Sequence, residues 1–342
     1  MLKNIRQLLP EGRPPHGFGY GKKAAKEAAY AAQQKRRRKK RMAIAVGAAS
    51  AAAVMTWTLW QNTALMLREI SVTDDSIPEA FSGLRIAQIS DFHNSVYGEE
   101  NEKLVRLVKQ SSPDLIVVTG DFIDSRRTDT KIAADLIDQI ISVAPVYYVA
   151  GNHESRIPGE YRELKKSMKA EGVHILQNEA EYIEKGGEKI QIIGVNDPDF
   201  CADKTFSQKF PPEGQALSRQ QQREKNAKLI SEEIKALRDE DCYSVLLSHR
   251  PELFDAYAAC GVNFVFSGHA HGGQFRLPLL GGLFAPGQGF FPRYDSGLYR
   301  EKNTGMVVSR GIGGSIVPLR FNNRPEIVVT EIVRGKKGIL RT

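Results

Sequence analysis

Cysteine is scarce in this sequence: only Cys201, Cys242 and Cys260 occur among its 342 residues. None of them has the C-x-x-C spacing of a zinc site or of a thiol redox centre, so neither class of site is predicted. Cys242 and Cys260 each precede a predicted strand. Two alternatives stay open for this pair, a disulfide in an oxidising compartment or buried free thiols.

Charged residues are missing from the 26 residues Met42–Leu67. A helix needs about 20 mainly apolar residues to cross the hydrocarbon core of a bilayer. The cations of Lys35–Arg41 come directly before this segment, and the positive-inside rule places them in the cytoplasm. Trp57 and Trp60 lie near the other end, where interfacial aromatic residues are common. The pattern predicts a single-pass anchor.

The predicted domain organisation follows from that anchor. Residues 1–41 form a basic cytoplasmic tail, residues 42–67 form the transmembrane anchor, and residues 68–342 form one extracytoplasmic domain at the cell membrane. Two alternatives apply to the apolar segment. It is either a signal peptide, cleaved or retained, or an alanine-rich helix buried in a protein core.

The predicted domain itself carries no net positive charge. Residues 1–41 contain 13 Lys/Arg and two Glu, so the tail carries +11, whereas the whole chain carries +8. Removing the tail leaves a net charge of −3 for the rest of the chain. Nucleic-acid-binding surfaces are typically basic, so this charge argues against nucleic acid as a partner. The basic run beside the apolar segment is better suited to anionic lipid headgroups.

The sequence does contain a regular alternation of strand and helix patterns from about Arg68 onward. Short apolar runs such as LIVVTG (115–120) and VYYVAG (146–151) are typical of buried strands. KIAADLIDQIIS (131–142) has the spacing of an amphipathic helix. The pattern predicts one α/β domain whose sheets are covered by helices.

Rare polar residues follow five of the predicted strands, and they include five of the seven histidines. The set comprises Asp91, His93, Asp121, Asp124, Asn152, His153, His249, His269 and His271. In open α/β sheets the ligand crevice lies beyond the carboxyl ends of the strands, so we expect these side chains to converge. Glycines before Asp121, Asn152 and His269 allow the backbone to turn sharply and approach closely.

These residue types are suited to metal-dependent phosphoryl chemistry. Imidazole nitrogens and carboxylate oxygens without thiolates suit Mn²⁺, Fe or Zn²⁺. The set contains too many donors for one ion and enough for two that share a bridging carboxylate. Two metal ions roughly 3.5–4 Å apart can stabilise both the attacking and the leaving oxygen of a phosphoryl displacement. We therefore expect two divalent ions, with a metal-bridging hydroxide as the nucleophile.

The motifs D-x-H, G-D-x-x-D, G-N-H-E, a single H and G-H-x-H occur in this order over about residues 84–275. This set resembles the calcineurin-like metallophosphoesterase superfamily. The later segments HGGQFRLP and RFNNRPEIVVTEI are similar to its bacterial membrane-associated phosphodiesterase branch. The resemblance implies a four-layer αββα sandwich.

The resemblance also implies a role for each motif residue. One metal ion would be bound by Asp91, His93, Asp121 and His271, and the other by Asp121, Asn152, His249 and His269, with Asp121 bridging. His153 would protonate the leaving oxygen or steady the transition state, and Asp124 would orient it. Arg250, beside His249, is a candidate contact for the substrate phosphate, with a surface salt bridge as the alternative.

These observations predict a membrane-anchored phosphodiesterase that acts on lipid headgroups or on phosphate-containing envelope polymers. Phosphomonoesters and pyrophosphates are further candidate substrates. Two other classes stay open: a nucleotide or nucleic-acid phosphodiesterase with the same chemistry, and a non-catalytic scaffold that has kept the fold. No motif indicates a protein partner.

Overall fold

The computed structural model describes residues 18–200, 217–314, 319–336 and 338–341. Residues 1–17 of the predicted tail and Cys201 lie outside the described residues. The chain divides into two compact units, and the first ends at Trp57. The described residues of this unit belong to one helix, α1, which extends over Phe18–Thr63.

Helix α1 is long and apolar enough to cross a membrane. An 18-residue stretch of it has a mean hydropathy of 1.6, and only 6% of that stretch is buried. This stretch is therefore not buried in a core formed by the described residues. Helix α1 stops at Thr63, and Met66, near the end of the predicted anchor 42–67, pairs with Glu326 in a sheet. The anchor itself stays a prediction.

The second compact unit begins at Thr58 and alternates strands with helices. Its helices are α2 (Glu102–Gln110), α3 (Thr130–Ile141), α4 (Asn152–Arg156), α5 (Pro158–Ala170), α6 (Arg219–Leu237) and α7 (Phe254–Ala259). Its first nine strands are β1 (Met66–Asp74), β2 (Leu84–Ile89), β3 (Leu115–Thr119), β4 (Val146–Val149), β5 (His174–Ile175), β6 (Glu179–Lys185), β7 (Glu188–Gly194), β8 (Tyr243–Leu247) and β9 (Phe264–Ser267). Four two-residue strands follow, β10 (Arg276–Leu277), β11 (Gly281–Gly282), β12 (Phe284–Ala285) and β13 (Gly289–Phe290), and then β14 (Gly297–Glu301), β15 (Thr304–Val308), β16 (Glu326–Arg334) and β17 (Gly338–Arg341).

All strands except β10 to β13 form two sheets. The first has the order β17-β1-β16-β2-β3-β4-β5, and β2 to β5 are parallel in it. The second has the order β14-β15-β9-β8-β7-β6, and its four inner strands are parallel. Because parallel strands end on the same edge of a sheet, each sheet gathers the residues that follow its strands.

Side chains from both sheets share one core, which contains Val117 and Val149 of the first sheet and Val245 and Phe266 of the second. The outer face of the first sheet is covered by α2, α3 and α5, and that of the second by α6 and α7. The layers are therefore helix, sheet, sheet and helix, and the predicted four-layer sandwich is confirmed.

Helix α3 shows how the local sequence sets an element. Asp129 caps it by accepting hydrogen bonds from the backbone N–H groups of Lys131 and Ile132. Its apolar residues recur at helical spacing, and Leu136 and Ile140 are fully buried against the first sheet.

Cys242 and Cys260 are buried and free. Their Sγ atoms are hydrogen-bonded to the carbonyl oxygens of Lys189 and Ser231. Of the two alternatives for this pair, the structure therefore has the free thiols.

Candidate metal centre

The predicted site residues converge where strands of the two sheets end. Asp91 and His93 follow β2, Asp121 and Asp124 follow β3, Asn152 and His153 begin α4 after β4, His249 follows β8, and His269 and His271 follow β9. All nine are buried. The amide of Gln88 donates to Thr119 Oγ1 and to the Ser267 carbonyl, so it ties the ends of three of these strands together.

Five of these residues have a left-handed backbone. The angle φ is 49° at Asp91, 48° at His93, 49° at Asp121, 63° at His269 and 47° at His271. This region is unfavourable for side chains other than glycine, and each such residue costs on the order of 1 kcal/mol or more. The strain indicates that the surrounding structure holds these side chains in one direction.

Two glycines, Gly151 and Gly268, allow the loops that carry the predicted ligands to approach one another closely. A Cβ atom at Gly151 would lie 2.3 Å from Asp121 Oδ1, and one at Gly268 would lie 1.9 Å from Ser90 Oγ. Both contacts are far shorter than a van der Waals contact, so glycine is required at both positions.

A first donor group consists of Asp91, His93, Asp121 and His271, each of which offers an atom within 4.8 Å of the others. His271 Nε2 lies 3.3 Å from Asp91 Oδ1 and 3.3 Å from His93 Nε2. His93 Nε2 lies 3.8 Å from Asp121 Oδ2. Two imidazoles and two carboxylates that face one point suit a divalent cation.

A second donor group consists of Asp121, His249 and His269. His249 Nε2 lies 3.2 Å from Asp121 Oδ2 and 3.0 Å from His269 Nδ1. His249 Nδ1 lies 2.8 Å from the Thr119 carbonyl oxygen, which can only accept, so Nδ1 carries the proton of the neutral ring and Nε2 is available to a metal ion.

Asn152 is the remaining predicted ligand. Its Oδ1 atom is buried and has no hydrogen-bond partner among the described residues. A buried carbonyl oxygen without a partner is costly, and a cation would satisfy it. The two donor groups, which share Asp121, and this oxygen fit a pair of divalent ions.

Burial dominates the electrostatics of most of these groups. It raises the pKa of Asp91 to about 6, lowers the pKa of His93 to about 3, and lowers the pKa values of His269 and His271 well below the usual value for histidine. These three histidines are therefore neutral at pH 7, which is the form that binds metal ions.

His249 and Asp121 form a buried ion pair. Burial lowers the pKa of His249, but the nearby Asp121 carboxylate outweighs it and raises that pKa to about 10. Burial raises the pKa of Asp121, and the charges and hydrogen bond of the histidines, His249 first, bring it well below the usual value. A metal ion bound by both groups would displace the proton of His249.

His153 lies at the edge of this cluster, with Nε2 4.0 Å from Asp121 Oδ2. Its Nδ1 atom accepts a hydrogen bond from the Ser125 backbone N–H at 3.0 Å, so the proton of the neutral ring is on Nε2. Burial lowers the pKa of His153, which also favours the neutral ring. The ring therefore directs an N–H donor towards the cluster.

Asp124 lies beside His153 without a direct hydrogen bond. Its Oδ1 is 3.6 Å from His153 Nδ1, within ion-pair distance, while Nδ1 accepts a hydrogen bond from the Ser125 N–H. Asp124 also accepts hydrogen bonds from the backbone and the guanidinium of Arg126. That Asp124 orients His153 stays a prediction.

Arg250 is occupied by carboxylates of the protein. Its Nε and Nη2 donate to Asp197 at 2.7 and 2.8 Å, and Nη2 lies 2.9 Å from Asp199 Oδ1. The side chain of Arg250 is only 12% exposed and that of Asp197 is fully buried. The structure therefore gives Arg250 a buried ion pair in place of the surface salt bridge, and its contact with a substrate phosphate stays a prediction.

Glu154 is a site residue that the sequence reasoning left without a role, although it is the last letter of the G-N-H-E motif. It is fully buried, and burial raises its pKa to about 7. Oε1 accepts from the N–H groups of Phe122 and Ile123, and Oε2 accepts from those of Asp121 and Gly151. Its carboxyl group therefore fixes the backbone that carries two of the predicted ligands.

Arg320 is a second residue without a sequence signal. It is 2% exposed, and its Nη2 lies 3.5 Å from His271 Nδ1. Its guanidinium also donates to the carbonyl oxygens of Arg310 and Gly313. These contacts place the guanidinium of Arg320 next to the Nδ1 atom of His271, a predicted metal ligand.

Comparison with known proteins identifies the family. The sequence model of calcineurin-like phosphoesterases matches residues 84–273, which include the strands and loops that carry all nine predicted residues. The chain belongs to this family. Its fold and its cluster of histidines and aspartates are those of a metal-dependent phosphoester hydrolase with a candidate dinuclear site.

Several curated relatives share most of the domain. The uncharacterized metallophosphoesterase YkuE of Bacillus subtilis is 31% identical over 273 residues, covering 76% of this chain and 83% of YkuE. Phosphodiesterase YaeI of Escherichia coli is 26% identical over 226 residues, covering 66% of this chain and 72% of YaeI. A transmembrane protein with metallophosphoesterase domain from Danio rerio is 27% identical over 272 residues, covering 76% of this chain and 55% of that protein.

Proposed function

We propose that this chain is a membrane-anchored phosphodiesterase that uses two divalent metal ions. The observation that carries the proposal is the position of Asp121, which belongs to both donor groups. Two ions that share one carboxylate lie close enough together to act on the same phosphate.

The ions would be held by the residues that the motifs indicated. Asp91, His93, Asp121 and His271 would bind one ion, and Asp121, Asn152, His249 and His269 would bind the other. Manganese, zinc and iron all suit these nitrogen and oxygen donors. When bound, the ions supply the positive charge that activates water and stabilises the phosphoryl group in the transition state.

His153 would stabilise the transition state by hydrogen bonding. Since Ser125 N–H occupies Nδ1, the Nε2–H group is the one that reaches the substrate. A neutral imidazole is a weak acid but a good hydrogen-bond donor, and such a bond strengthens as negative charge develops on oxygen. Of the two roles considered for His153, steadying the transition state is therefore preferred over proton transfer.

A phosphodiester in or on a membrane is the proposed substrate. The name of the relative YaeI supports diester chemistry. The apolar exposed stretch of α1 and the transmembrane relative support a location at the membrane, with the basic residues 35–41 on the cytoplasmic side. The net charge of −3 outside the tail gives no support to a nucleic-acid substrate.

The test is a metal-dependent assay of the full-length protein in detergent micelles. After treatment with a chelator, we expect Mn²⁺ to restore hydrolysis of bis(p-nitrophenyl) phosphate, and to restore it more strongly than hydrolysis of p-nitrophenyl phosphate. Asp121→Ala should abolish turnover, while Asp138→Ala, a matched change at an exposed position of α3, should not. An inactive wild type, or an Asp121→Ala variant as active as wild type, would refute the proposal.

A further inference from the structure

An uncharged run follows the G-H-x-H motif of the candidate metal centre. Residues 277–292, LPLLGGLFAPGQGFFP, contain seven Leu or Phe residues, one amide and no charged side chain. The run begins six residues after the predicted ligand His271. Large apolar side chains are usually buried in a protein core, so the exposure of this run in the structure decides its role.

The structure folds most of this run into two consecutive β-hairpins, which we call the paired hairpins (residues 276–291). In the first, β10 pairs antiparallel with β11, and the Leu280 N–H closes the turn by donating to the Leu277 carbonyl. In the second, β12 pairs antiparallel with β13, and the rings of the opposed Phe284 and Phe290 have centres 5.4 Å apart. Both turns therefore consist of residues of the uncharged run.

The paired hairpins expose large apolar side chains. Leu279, in the turn of the first hairpin, is fully exposed, and its neighbour Leu280 is 65% exposed. In the second hairpin, Phe290 is 70% exposed and Phe291 is 59% exposed. Single exposed apolar side chains are ordinary on a soluble surface, but several on consecutive hairpins mark an interaction surface.

Contacts at the base of the paired hairpins hold them in place. The Gly282 N–H donates to the Asp295 carboxylate, and the Leu283 N–H donates to the Gly273 carbonyl. A Cβ atom at Gly273 would lie 2.3 Å from Gly282 Cα, so the two backbones are in close contact. Gly273 ends the short turn that begins at His271. The paired hairpins are therefore packed against the backbone that carries a predicted metal ligand.

The uncharged run offers no side-chain hydrogen bond to a partner. Gln288 has its only amide, whose Nε2 donates to the Tyr294 carbonyl at 2.8 Å and whose Oε1 accepts from the Tyr294 N–H at 2.9 Å. Protein interfaces contain about one hydrogen bond per 100–200 Å². A lipid bilayer requires none, and segments that lie in its interfacial region bind through side chains such as Leu and Phe. A bilayer is therefore the occupant that this surface fits best.

The base of the first hairpin is linked to residues at the end of α1. The Arg276 N–H donates to the Phe321 carbonyl at 2.9 Å. The preceding residue, Arg320, is hydrogen-bonded through its backbone to the side chain of Asn62. Asn62 lies in the last turn of α1 and belongs to the second compact unit. No long linker therefore separates the paired hairpins from the end of the proposed anchor.

We propose that the paired hairpins insert their exposed side chains into a lipid bilayer and form a second membrane contact beside the metal centre. Leu279, Leu280, Phe290 and Phe291 would lie in the interfacial region, where binding strengthens with the apolar area that is buried. The contact would hold the His271 side of the domain at the membrane surface. This inference rests on the membrane location in the proposed function and not on its phosphodiester chemistry.

The test measures which solvent surrounds the paired hairpins in the full-length protein, at one copy per lipid nanodisc. A nitroxide label is attached to Leu279→Cys or to Phe290→Cys in a Cys201→Ser background, in which the remaining cysteines are buried. Electron paramagnetic resonance compares collisions of the label with oxygen, which concentrates in hydrocarbon, and with a neutral nickel chelate, which stays in water. We expect the ratio of oxygen to nickel collisions to be several-fold higher at both positions than at exposed control positions.

Two control positions carry the same label. Lys169→Cys lies at an exposed position of α5, and Tyr182→Cys replaces an exposed aromatic residue on β6. Strand β6 forms the edge of the second sheet opposite β14. Both labels should collide mainly with nickel. A third label, on Ala52→Cys in the uncharged part of α1, reports whether the anchor itself lies in lipid.

Labels on the paired hairpins that favour nickel as strongly as the label on Lys169→Cys would overturn the second membrane contact. Labels shielded from both reagents would also overturn it, because protein would then cover them. The label on Ala52→Cys separates these results from the proposed function. A water-exposed label there would refute the anchor, whereas hairpins in water beside an anchor in lipid would refute only the second contact.

Discussion

The side chain of Asn62 holds the backbone of Arg320, which lies 258 residues later in the sequence. Asn62 Oδ1 accepts from the Arg320 N–H at 2.7 Å, and Asn62 Nδ2 donates to the Arg320 carbonyl at 2.9 Å. Because the guanidinium of Arg320 lies against His271, a single residue joins the end of α1 to the candidate metal centre.

Asn62→Ala should therefore affect both the fold and the metal site. Loss of these two hydrogen bonds, and of a third from Asn62 Nδ2 to the Thr58 carbonyl, should lower the free energy of unfolding by about 3 kcal/mol. The displaced Arg320 should also weaken Mn²⁺ binding. Denaturant unfolding and metal titration of the full-length protein in micelles measure both. Gln110→Ala is the control, since Gln110 is an exposed amide side chain at the end of α2. Equal effects of the two changes would contradict the prediction.

The shared carboxylate gives a prediction about metal stoichiometry. Asp121→Asn should remove both ions, whereas His269→Ala and His271→Ala should each weaken a different ion. Manganese EPR checks this, because wild type should give the signal of a coupled pair and each histidine variant the signal of isolated ions. Metal analysis after dialysis should show both ions lost from Asp121→Asn. A coupled pair in either histidine variant would be incompatible with the two proposed ligand sets.

His153→Ala should retain both metal ions and lose activity by about 10² to 10³, the range typical for removal of one transition-state hydrogen bond. If Nε2–H binds a phosphoryl oxygen, the loss should be the same for substrates with good and with poor leaving groups. The measurement is kcat for a series of aryl and alkyl diesters. A loss that grows steeply with the pKa of the leaving alcohol would instead assign proton transfer to His153.

Arg250 should act through stability and not through substrate binding. Arg250→Met leaves the buried Asp197 carboxylate without its partner, which should cost about 3–5 kcal/mol. A second change, Asp197→Leu, removes that carboxylate and should restore most of the lost stability and of the activity. Thermal unfolding and KM for the aryl diester are the readouts. Recovery of stability without recovery of KM would show that Arg250 contacts the substrate.

The convergence of the strand-end residues could be predicted from the sequence because it depends on a simple rule. Apolar runs fix which segments are parallel strands, and the ends of such strands meet. His249 and His269 illustrate this, since each follows a buried strand and their rings are in contact. Their binding of metal ions stays a prediction that the experiments above test.

Other features depend on details that no local pattern contains. The hydrogen-bond partner of His153 Nδ1 depends on the geometry of the turn after Asp124. The Ser125 backbone nitrogen lies closer to Nδ1 than the Asp124 carboxylate does. The role of Arg320 depends on contacts with Asn62 and His271, which are remote in sequence. The end of α1 is decided by strand pairing at Met66, although the uncharged run continues to Leu67.

The left-handed backbone at five of the seven candidate ligands has a consequence for the evolution of this domain. Glycine would relieve the strain at Asp91, His93 or His271, but it carries no donor atom. Holding the donors in this backbone conformation therefore costs stability. Selection for stability alone would replace these residues, so the centre is a place where stability and activity oppose each other.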